Sequence, residues 1–225
     1  MNLPSNFVKQ TYDLRNEKGY ATADTFFLNR LIELIKEYKI TTIVEAGVFH
    51  GRSTVEMSYL VDEVIGIDIF SKMLEITALR MAKNSRKNYK LYHGNSPEVL
   101  SELTKEIDND HTIFFLDAHM SAEGMGSEEK AYWPIIDEIK KLPRKKGIIV
   151  LHDIYVPNYG DLKLTNPQRL GYDTYIVNEV RQRFDYEFIE EALTEWSSDH
   201  RVEYNSGDKT NADQRGIAYI FPTKN

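Results

Sequence analysis

Short, mostly apolar runs alternate along the chain with longer segments in which apolar residues recur every three or four positions. The short runs are typical of parallel strands that are buried on both faces of a sheet. The longer segments have the periodicity of amphipathic helices. The five runs are Ile40–Val44, Val64–Asp68, Tyr89–His93, His111–Asp117 and Lys146–Asp153. This alternation predicts an α/β fold with a doubly wound parallel sheet that carries helices on both faces.

The other elements are predicted from capping residues and periodicity. Thr22 can cap a helix that ends near Tyr38 and buries one apolar face. That face comprises Phe27, Leu28, Leu31, Ile32 and Ile35. Further helices are predicted at 53–60, 71–83, 96–107, 132–142 and 173–184. In the third of these, Ser96 is the predicted N-cap and Pro97 the first helical residue. The predicted closing strands are Tyr186–Ile189 and Gly216–Phe221, with a polar segment, Thr194–Gln214, between them.

Length and composition favour a single globular domain. The 225 residues are divided by neither an internal repeat nor a linker. An apolar fraction of 41% and a charged fraction of 28% are ordinary for a globular protein. We therefore expect one domain over residues 1–225, with an N-terminal helical extension at 1–39 and a core at 40–222.

Charge and cysteine content narrow the classes of partner. The formal net charge of −7 argues against a broad nucleic-acid surface. The first residues lack a signal-peptide pattern, and no apolar run approaches the ~20 residues that a membrane span needs. The absence of cysteine excludes disulfides and thiolate metal sites and is compatible with a reducing cytoplasm, where we expect the protein. Assembly into a homo-oligomer is left open by the sequence.

The segment Thr42–Thr54 is organised as a strand, a glycine turn and the start of a helix. Gly47 and Gly51 supply a backbone that can bend sharply and approach a ligand closely. A dinucleotide fingerprint requires Gly-x-Gly-x-x-Gly, but Glu45 and His50 occupy its first and third glycine positions. A carboxylate there would repel a pyrophosphate and suits a cationic ligand. The segment therefore predicts a ligand loop at the carboxyl ends of the strands.

Acidic residues end four of the five predicted strands. They are Glu45, Asp68, Asp117 and Asp153. Because the carboxyl ends of parallel strands meet at one edge, these acids should form a row beside the glycine turn. Asp68 follows Gly51 at a distance where an acid would hold the ribose hydroxyls of a nucleoside. The alternative is that Asp68 only caps the helix that begins at Ser71.

The pattern Glu-x-Gly-x-x-x-Gly from Glu45 to Gly51 resembles motif I of the class I S-adenosylmethionine (SAM) dependent methyltransferases. The order of elements over residues 40–222 is similar to that of this family. The family's Rossmann-like fold is a seven-stranded sheet, mostly parallel with an antiparallel C-terminal hairpin. Four shorter motifs resemble FkbM-type and macrocin-type sugar O-methyltransferases. These motifs are Leu116–His119, Trp133–Glu138, His152–Asp153 and Gly171–Asp173.

The resemblance implies SAM as the cofactor and a role for each matching position. The methionine part would be held by Glu45, Gly47, Gly51 and Ser53. Asp68 would hold the ribose, and Asn95 and Ser96 would border the adenine, although a helix cap explains these two residues equally well. His50 would be a further contact of the cofactor loop, and Asp117 would lie at the centre of the same site.

Macrocin-type enzymes use Mg²⁺ held by acids at the ends of the fourth and fifth strands. Asp117 and Asp153 match these positions, so the resemblance implies a metal site there. The second acid that commonly follows in this family is replaced by Ile154. His119 could take its place, although imidazole is not a typical Mg²⁺ ligand.

Methyl transfer to a hydroxyl needs alignment of the acceptor with the S–CH₃ bond and removal of its proton. One route to deprotonation is a histidine base, either His119 or His152. The other is a metal ion, held by Asp117 and Asp153, that acidifies the hydroxyl. We place the reacting centre at Asp117, His119 and Asp153, with His152 as the other candidate base.

Three functions compete at this stage. The first is a SAM-dependent methyltransferase acting on a hydroxyl of a small molecule, such as a sugar or a glycosylated metabolite. The second is a nucleotide-dependent oxidoreductase, which the missing fingerprint glycines disfavour. The third is a non-catalytic SAM-binding protein, since a fold does not fix a function. The glycine-rich segment 120–127 and the long loop Tyr155–Tyr172 favour an enclosed small-molecule site.

Overall fold

The structure is a computed structural model that describes residues 25–118, 134–154, 174–177, 180–183, 193–194, 200–205 and 216–223. Its helices are α1 Thr25–Tyr38, α2 Arg52–Ser58, α3 Ser71–Lys83, α4 Ser96–Leu103 and α5 Ile135–Lys141. The first five strands are β1 Thr42–Ala46, β2 Glu63–Asp68, β3 Tyr89–His93, β4 Thr112–Leu116 and β5 Ile148–Ile154. The other strands are β6 Thr174–Val177, β7 Val180–Arg183, β8 His200–Asn205 and β9 Gly216–Pro222.

Seven strands form one sheet in the order β3-β2-β1-β4-β5-β9-β8. The first five are parallel, whereas β9 runs antiparallel to both β5 and β8. The strand order reverses between β1 and β4, which is where doubly wound folds bind their ligands. The predicted Rossmann-like fold, mostly parallel with an antiparallel C-terminal hairpin, is confirmed.

Two apolar clusters cover the faces of this sheet. On one face, Val44 and Phe114 pack with residues of α4 and α5, among them Leu100. On the other face, Ile43 packs against α1, from which Leu31 is completely buried. Successive strand residues therefore point to opposite faces, and both are apolar because both are covered by helices.

The apolar face predicted for α1 is largely confirmed. Phe27, Leu28, Leu31 and Ile35 are buried, and Ile32 packs against the same cluster while partly buried. The predicted cap of this helix, Thr22, lies outside the described residues. Within the described ranges, no helix is long and apolar enough to cross a membrane.

The helix predicted for residues 173–184 is wrong. Thr174–Val177 and Val180–Arg183 instead pair as antiparallel strands, with Thr174 opposite Arg183 and Val177 opposite Val180. The run Thr-Tyr-Ile-Val consists of β-branched and aromatic residues, which lose rotamer freedom in helices and pack well in strands. That local preference prevails over the weak helical periodicity.

The partner of the last strand also differs from the prediction. Gly216–Pro222 is a strand, as expected, but its outer neighbour is β8, His200–Asn205, in the segment that the sequence marks only as polar. The predicted strand Tyr186–Ile189 lies outside the part of the chain that the structure describes. Because β8 is the edge of the sheet, Arg201 and Glu203 can alternate with the partly buried Val202, so its apolar content is low.

Candidate functional site

The glycine turn after β1 folds back over the neighbouring strand. The amide of Gly47 donates to the carbonyl of Ile67, with an N–O distance of 2.9 Å, and that of Gly51 donates to Val48 at 2.7 Å. Gly47, Phe49 and Gly51 have φ angles of 85°, 46° and 69°. Such left-handed backbone is easily adopted by glycine, which is why two glycines are found in this short loop.

Gly47 also lies directly against the end of β4. A Cβ atom built on Gly47 would lie 2.6 Å from the carbonyl oxygen of Asp117 and 2.7 Å from Cα of Ala118. Both contacts are with backbone atoms, so no side-chain rotation can relieve them. The turn therefore requires glycine for space as well as for conformation.

Glu45 is completely buried in β1, one residue before the strand ends. Its carboxylate accepts hydrogen bonds from the hydroxyls of Ser53 and Thr54, the latter with an oxygen–oxygen distance of 2.5 Å. The pKa of Glu45 is raised from 4.5 to about 8, chiefly because the carboxyl group is buried. The hydrogen bonds from the two hydroxyls lower the pKa, and the negative charges of Asp117 and Asp68 raise it. Glu45 thus ties the first turn of α2 to the sheet.

The free energy of unfolding should fall less steeply as the pH rises from 5 to 8 when Glu45 is replaced with Gln. The folded protein retains a proton that the unfolded chain loses near pH 4.5, since the folded pKa is about 8. The stabilisation from this proton is complete below pH 4.5 and disappears as the pH rises through 8. Between these two pH values, the proton on Glu45 makes the free energy of unfolding fall by up to about 1.4 kcal/mol per pH unit.

Urea unfolding of the wild type and of the Glu45→Gln variant at several pH values measures this slope. The matched control is Glu75→Gln, which alters an exposed acid on α3 and should keep the wild-type slope. A slope that is equally steep in all three proteins would contradict the proton assigned to Glu45.

Asp68 is the last residue of β2, and it connects the glycine turn after β1 to the start of α3. Its Oδ2 accepts from the amide of Phe49 at 3.0 Å, and its Oδ1 accepts from the amide of Phe70 at 2.9 Å. Burial raises the pKa of this carboxyl, while these backbone hydrogen bonds lower it. Phe70 is the N-cap residue of α3, so Asp68 supports the helix start in part. Phe49, Ile69 and Phe70 nevertheless expose 47%, 46% and 39% of their surface around it.

The turn after β3 corrects the predicted helix cap. Asn95 is the N-cap residue of α4 and makes no side-chain capping hydrogen bond, whereas Ser96 is the first helical residue. The Ser96 hydroxyl donates to the carboxylate of Glu138, a buried residue of α5. Ser96 therefore links two helices, because a tertiary partner that the local sequence does not reveal competes for its hydroxyl.

Asp117 and His152 are brought together where β4 and β5 end. Asp117 Oδ1 lies 3.2 Å from His152 Nδ1, and the two side chains are 11% and 5% exposed. The backbone amide of Asp117 donates to the carbonyl of Ala46 at 2.9 Å, which fixes the carboxylate beside the glycine turn. A buried carboxylate–imidazole pair of this kind can hold the ring in one orientation and one tautomer.

A pocket opens at the glycine turn. It is lined by Gly47, Val48, Phe49, His50, Arg52, Ser53 and Asp117. Arg52 was missed by the sequence analysis, although its place as the first residue of α2, directly after Gly51, was a usable signal. The pocket thus combines a cation, a carboxylate and glycine backbone.

His50 lines this pocket and stacks on Phe49, with ring centroids 3.9 Å apart. Its backbone carbonyl accepts from Arg80 Nε at 2.8 Å. Partial burial lowers the pKa of His50, and the positive charges of Arg80 and Arg52 lower it further. These neighbours favour a neutral imidazole in the glycine turn.

Two predicted site residues cannot be compared with the structure. His119 lies outside the described residues, and for Asp153 only the backbone, within β5, is described. In the part of the chain that the structure describes, no group of three or more His, Asp and Glu side chains is placed to hold a metal ion. The four acid-bearing positions do lie along the carboxyl end of the parallel strands, as predicted.

Solved structures share this architecture over nearly the whole chain. The O-methyltransferase TomG from Streptomyces achromogenes, in complex with SAM, has a TM-score of 0.59 at 15% identity, covering 99% of this chain and 92% of that one. The Bacillus cereus O-methyltransferase in complex with SAH has a TM-score of 0.59 at 13% identity, covering 98% and 92%. SAH-bound PaMTH1 from Podospora anserina also scores 0.59, at 15% identity, covering 100% and 90%. At these identities the likeness establishes the fold.

The fold is that of the class I SAM-dependent methyltransferases. Residues 44–154, close to half of the chain, match the methyltransferase domain family. This match and the shared fold show a SAM-dependent methyltransferase domain, and the protein is an enzyme of this kind. No protein of curated function matches the sequence. The narrower assignment to FkbM-type or macrocin-type enzymes stays a prediction.

Proposed function

We propose that this enzyme transfers the methyl group of SAM to a hydroxyl of a small molecule, with the Asp117–His152 pair assisting deprotonation. The observation that carries the proposal is the pocket at the glycine turn, which brings Arg52, Asp117 and the backbone of Gly47 together. The amino-acid end of SAM is a zwitterion, and a pocket with one cation and one carboxylate is complementary to it.

Within this pocket, Arg52 would receive the carboxylate of the methionine part and Asp117 its ammonium group. Gly47 lets the turn lie directly against the segment after β4, because a Cβ there would meet the backbone of Asp117 and Ala118. Glu45 would not contact the ligand directly. It accepts hydrogen bonds from Ser53 and Thr54 and would thereby hold the first turn of α2 in place for the ligand.

The nucleoside would extend from the pocket towards β2 and β3. The carboxylate of Asp68 has more lone pairs than the backbone amides of Phe49 and Phe70 use, so it can also accept a ribose hydroxyl. The exposed rings of Phe49 and Phe70, with Ile69, offer an apolar surface for the adenine. Asn95, at the end of β3, is a candidate for the edge of the base, and the Ser96 hydroxyl is directed to Glu138 instead.

For proton removal, the described geometry favours His152. With Nδ1 directed to Asp117, Nε2 is the nitrogen that would receive the proton of the acceptor hydroxyl. The Asp117 carboxylate would then stabilise the imidazolium that forms. His119 remains an alternative base from the sequence analysis.

A Mg²⁺ ion, which the family resemblance implies, would need several oxygen ligands in an octahedral arrangement. Asp117 Oδ1 is directed towards His152, and the described side chains do not assemble a metal-binding group around it. The described residues thus do not fit the ion, and we assign no catalytic step to it. Metal dependence is tested together with the base below.

Calorimetry and a transfer assay test the proposed function. SAM and S-adenosylhomocysteine should bind with dissociation constants in the micromolar range, whereas NAD should show no binding at millimolar concentration. Methyl transfer from labelled SAM should then be detected for hydroxylated acceptors such as sugars and glycosylated metabolites. Binding of NAD in place of SAM would favour the oxidoreductase alternative. Tight SAM binding without turnover on any acceptor would favour the non-catalytic alternative.

A further inference from the structure

The N-terminal helix reaches the proposed reacting centre. Phe27, in the first turn of α1, lies with its ring centroid 6.3 Å from that of His152, at an interplanar angle of 63°. Phe115 of β4 meets the same imidazole at 5.7 Å and 63°. The two phenyl rings stack on each other with centroids 5.0 Å apart. Helix α1 therefore contributes one ring to a three-ring cluster that contains His152.

The two phenyl rings pack against the imidazole, and Asp117 Oδ1 lies 3.2 Å from its Nδ1, so both contacts restrain the ring. His152 is 5% exposed, and both phenyl rings are about 1% exposed, so the ring has little room to turn. A rotation that removed Nδ1 from Asp117 would have to displace an aromatic neighbour. Edge-to-face packing of this kind is orientation-dependent, unlike aliphatic packing.

Of the two phenyl rings, Phe115 is fixed by its own strand. It lies in β4, two residues before Asp117, and is held by sheet hydrogen bonds on both sides. Phe27 comes from a helix that precedes the sheet in sequence and contacts His152 only through tertiary packing. The orientation of His152 thus depends on how α1 is docked.

We propose that Phe27 is a positioning residue for His152. Its ring holds the imidazole with Nδ1 towards Asp117 and keeps water away from that hydrogen bond, which strengthens in a low-dielectric surrounding. Helix α1 is then part of the catalytic machinery and not only a cover for the sheet. This inference rests on the proposed function in so far as His152 is the base.

Two substitutions on α1 separate positioning from simple packing. Phe27→Leu removes the ring that contacts His152 and retains apolar bulk. Leu31→Ala is the matched control, because Leu31 is completely buried one turn later in the same apolar cluster, and its truncation leaves a larger void. Phe27→Met, which retains volume without a ring, is the second variant if the first folds poorly.

Two measurements report on the role of Phe27. The nitrogen-15 chemical shifts of His152 at one fixed pH show whether the neutral ring carries its proton on Nδ1. Steady-state kinetics with calorimetry separate kcat from SAM affinity. For Phe27→Leu we expect a mixture of His152 tautomers, a kcat about 10- to 100-fold lower, and a SAM dissociation constant within about twofold of the wild type. Leu31→Ala should retain the wild-type tautomer and kcat at temperatures where it is folded.

The outcomes distinguish this inference from the proposed function. Unchanged nitrogen shifts in the Phe27 variants, or an equal loss of kcat in Leu31→Ala, would overturn the positioning role. If the shifts change while kcat does not, Phe27 still positions the ring, but His152 is not the base. The second result would count against the proposed mechanism and leave the structural inference standing.

Discussion

Replacing His152 with Gln is expected to lower kcat by about 10²- to 10⁴-fold, the usual contribution of a general base. The imidazole is the proton acceptor in the proposed mechanism, and Gln cannot replace it near neutral pH. The affinity for SAM should change by no more than a few-fold, because His152 is not among the residues that line the glycine-turn pocket. Single-turnover kinetics at saturating SAM, with calorimetry for the affinity, check both statements.

The partner variant Asp117→Asn tests whether the pair acts as a unit. Its loss of kcat should be of similar size, and the double variant should be little worse than either single one, since residues that act together are not additive. Asp110→Asn is the matched control. It alters an acid before β4, at the opposite edge of the sheet, where Asp110 pairs with Lys146 at 3.2 Å.

Metal dependence can be read from the same set of variants. If a metal is used, chelation should inactivate the wild type, and the His152→Gln variant should retain a response to added Mg²⁺ that Asp117→Asn loses. If the histidine route operates alone, chelation should change nothing in any of them. Full activity of both single variants would remove the Asp117–His152 centre altogether.

Replacing Gly47 with Ala is expected to abolish most SAM binding and to destabilise the fold. The new Cβ would lie 2.6 Å from the Asp117 carbonyl oxygen, and Gly47 has a φ of 85° that alanine adopts only with strain. A left-handed conformation costs about 1–2 kcal/mol and the overpacking a further 1–3 kcal/mol. We expect a fall in the melting temperature of roughly 4 to 20 °C and a loss of SAM affinity of at least about tenfold.

Gly147→Ala provides the control for this effect. Gly147 has a φ of 70°, and a Cβ there would lie 2.8 Å from Phe114 Cε2 and 2.9 Å from the Asn109 carbonyl oxygen. The strain is comparable, but Gly147 lies before β5, at the edge opposite the site. This variant should be destabilised and yet bind SAM normally when folded. If both variants bind SAM equally well, the close approach at Gly47 has no role in binding.

The central parallel strands β1, β2 and β4 could be predicted because they are buried on both faces. Such strands need apolar residues at nearly every position, so β2 and β4 stand out as continuous runs. The edge strand β8 needs apolar residues on one face only, so the sequence shows it as a polar segment and predicts no strand there. The sequence predicts a helix where β6 and β7 form a hairpin, because four-residue strands are too short to show the alternation of apolar and polar residues that marks a strand.

The candidate site could be located but not assembled from the sequence. Asp68 and Asp117 were found as acids that follow apolar runs, and both lie at the carboxyl rim. The sequence did not reveal that Glu45 is completely buried against Ser53, or that Arg52 joins the pocket. These relations depend on how α2 leaves the turn.

By itself, the sequence determined the strand–turn–helix cradle and the edge of the sheet at which the acids lie. Hydrophobic periodicity and the conformational demands of glycine are local properties that can be read along the chain. Only the tertiary structure decided which of these groups meet: Asp117 with His152, Ser96 with Glu138, and Phe27 with the imidazole. Each of these pairs joins residues far apart in sequence, and their contact depends on strand order and helix docking, which no local pattern encodes.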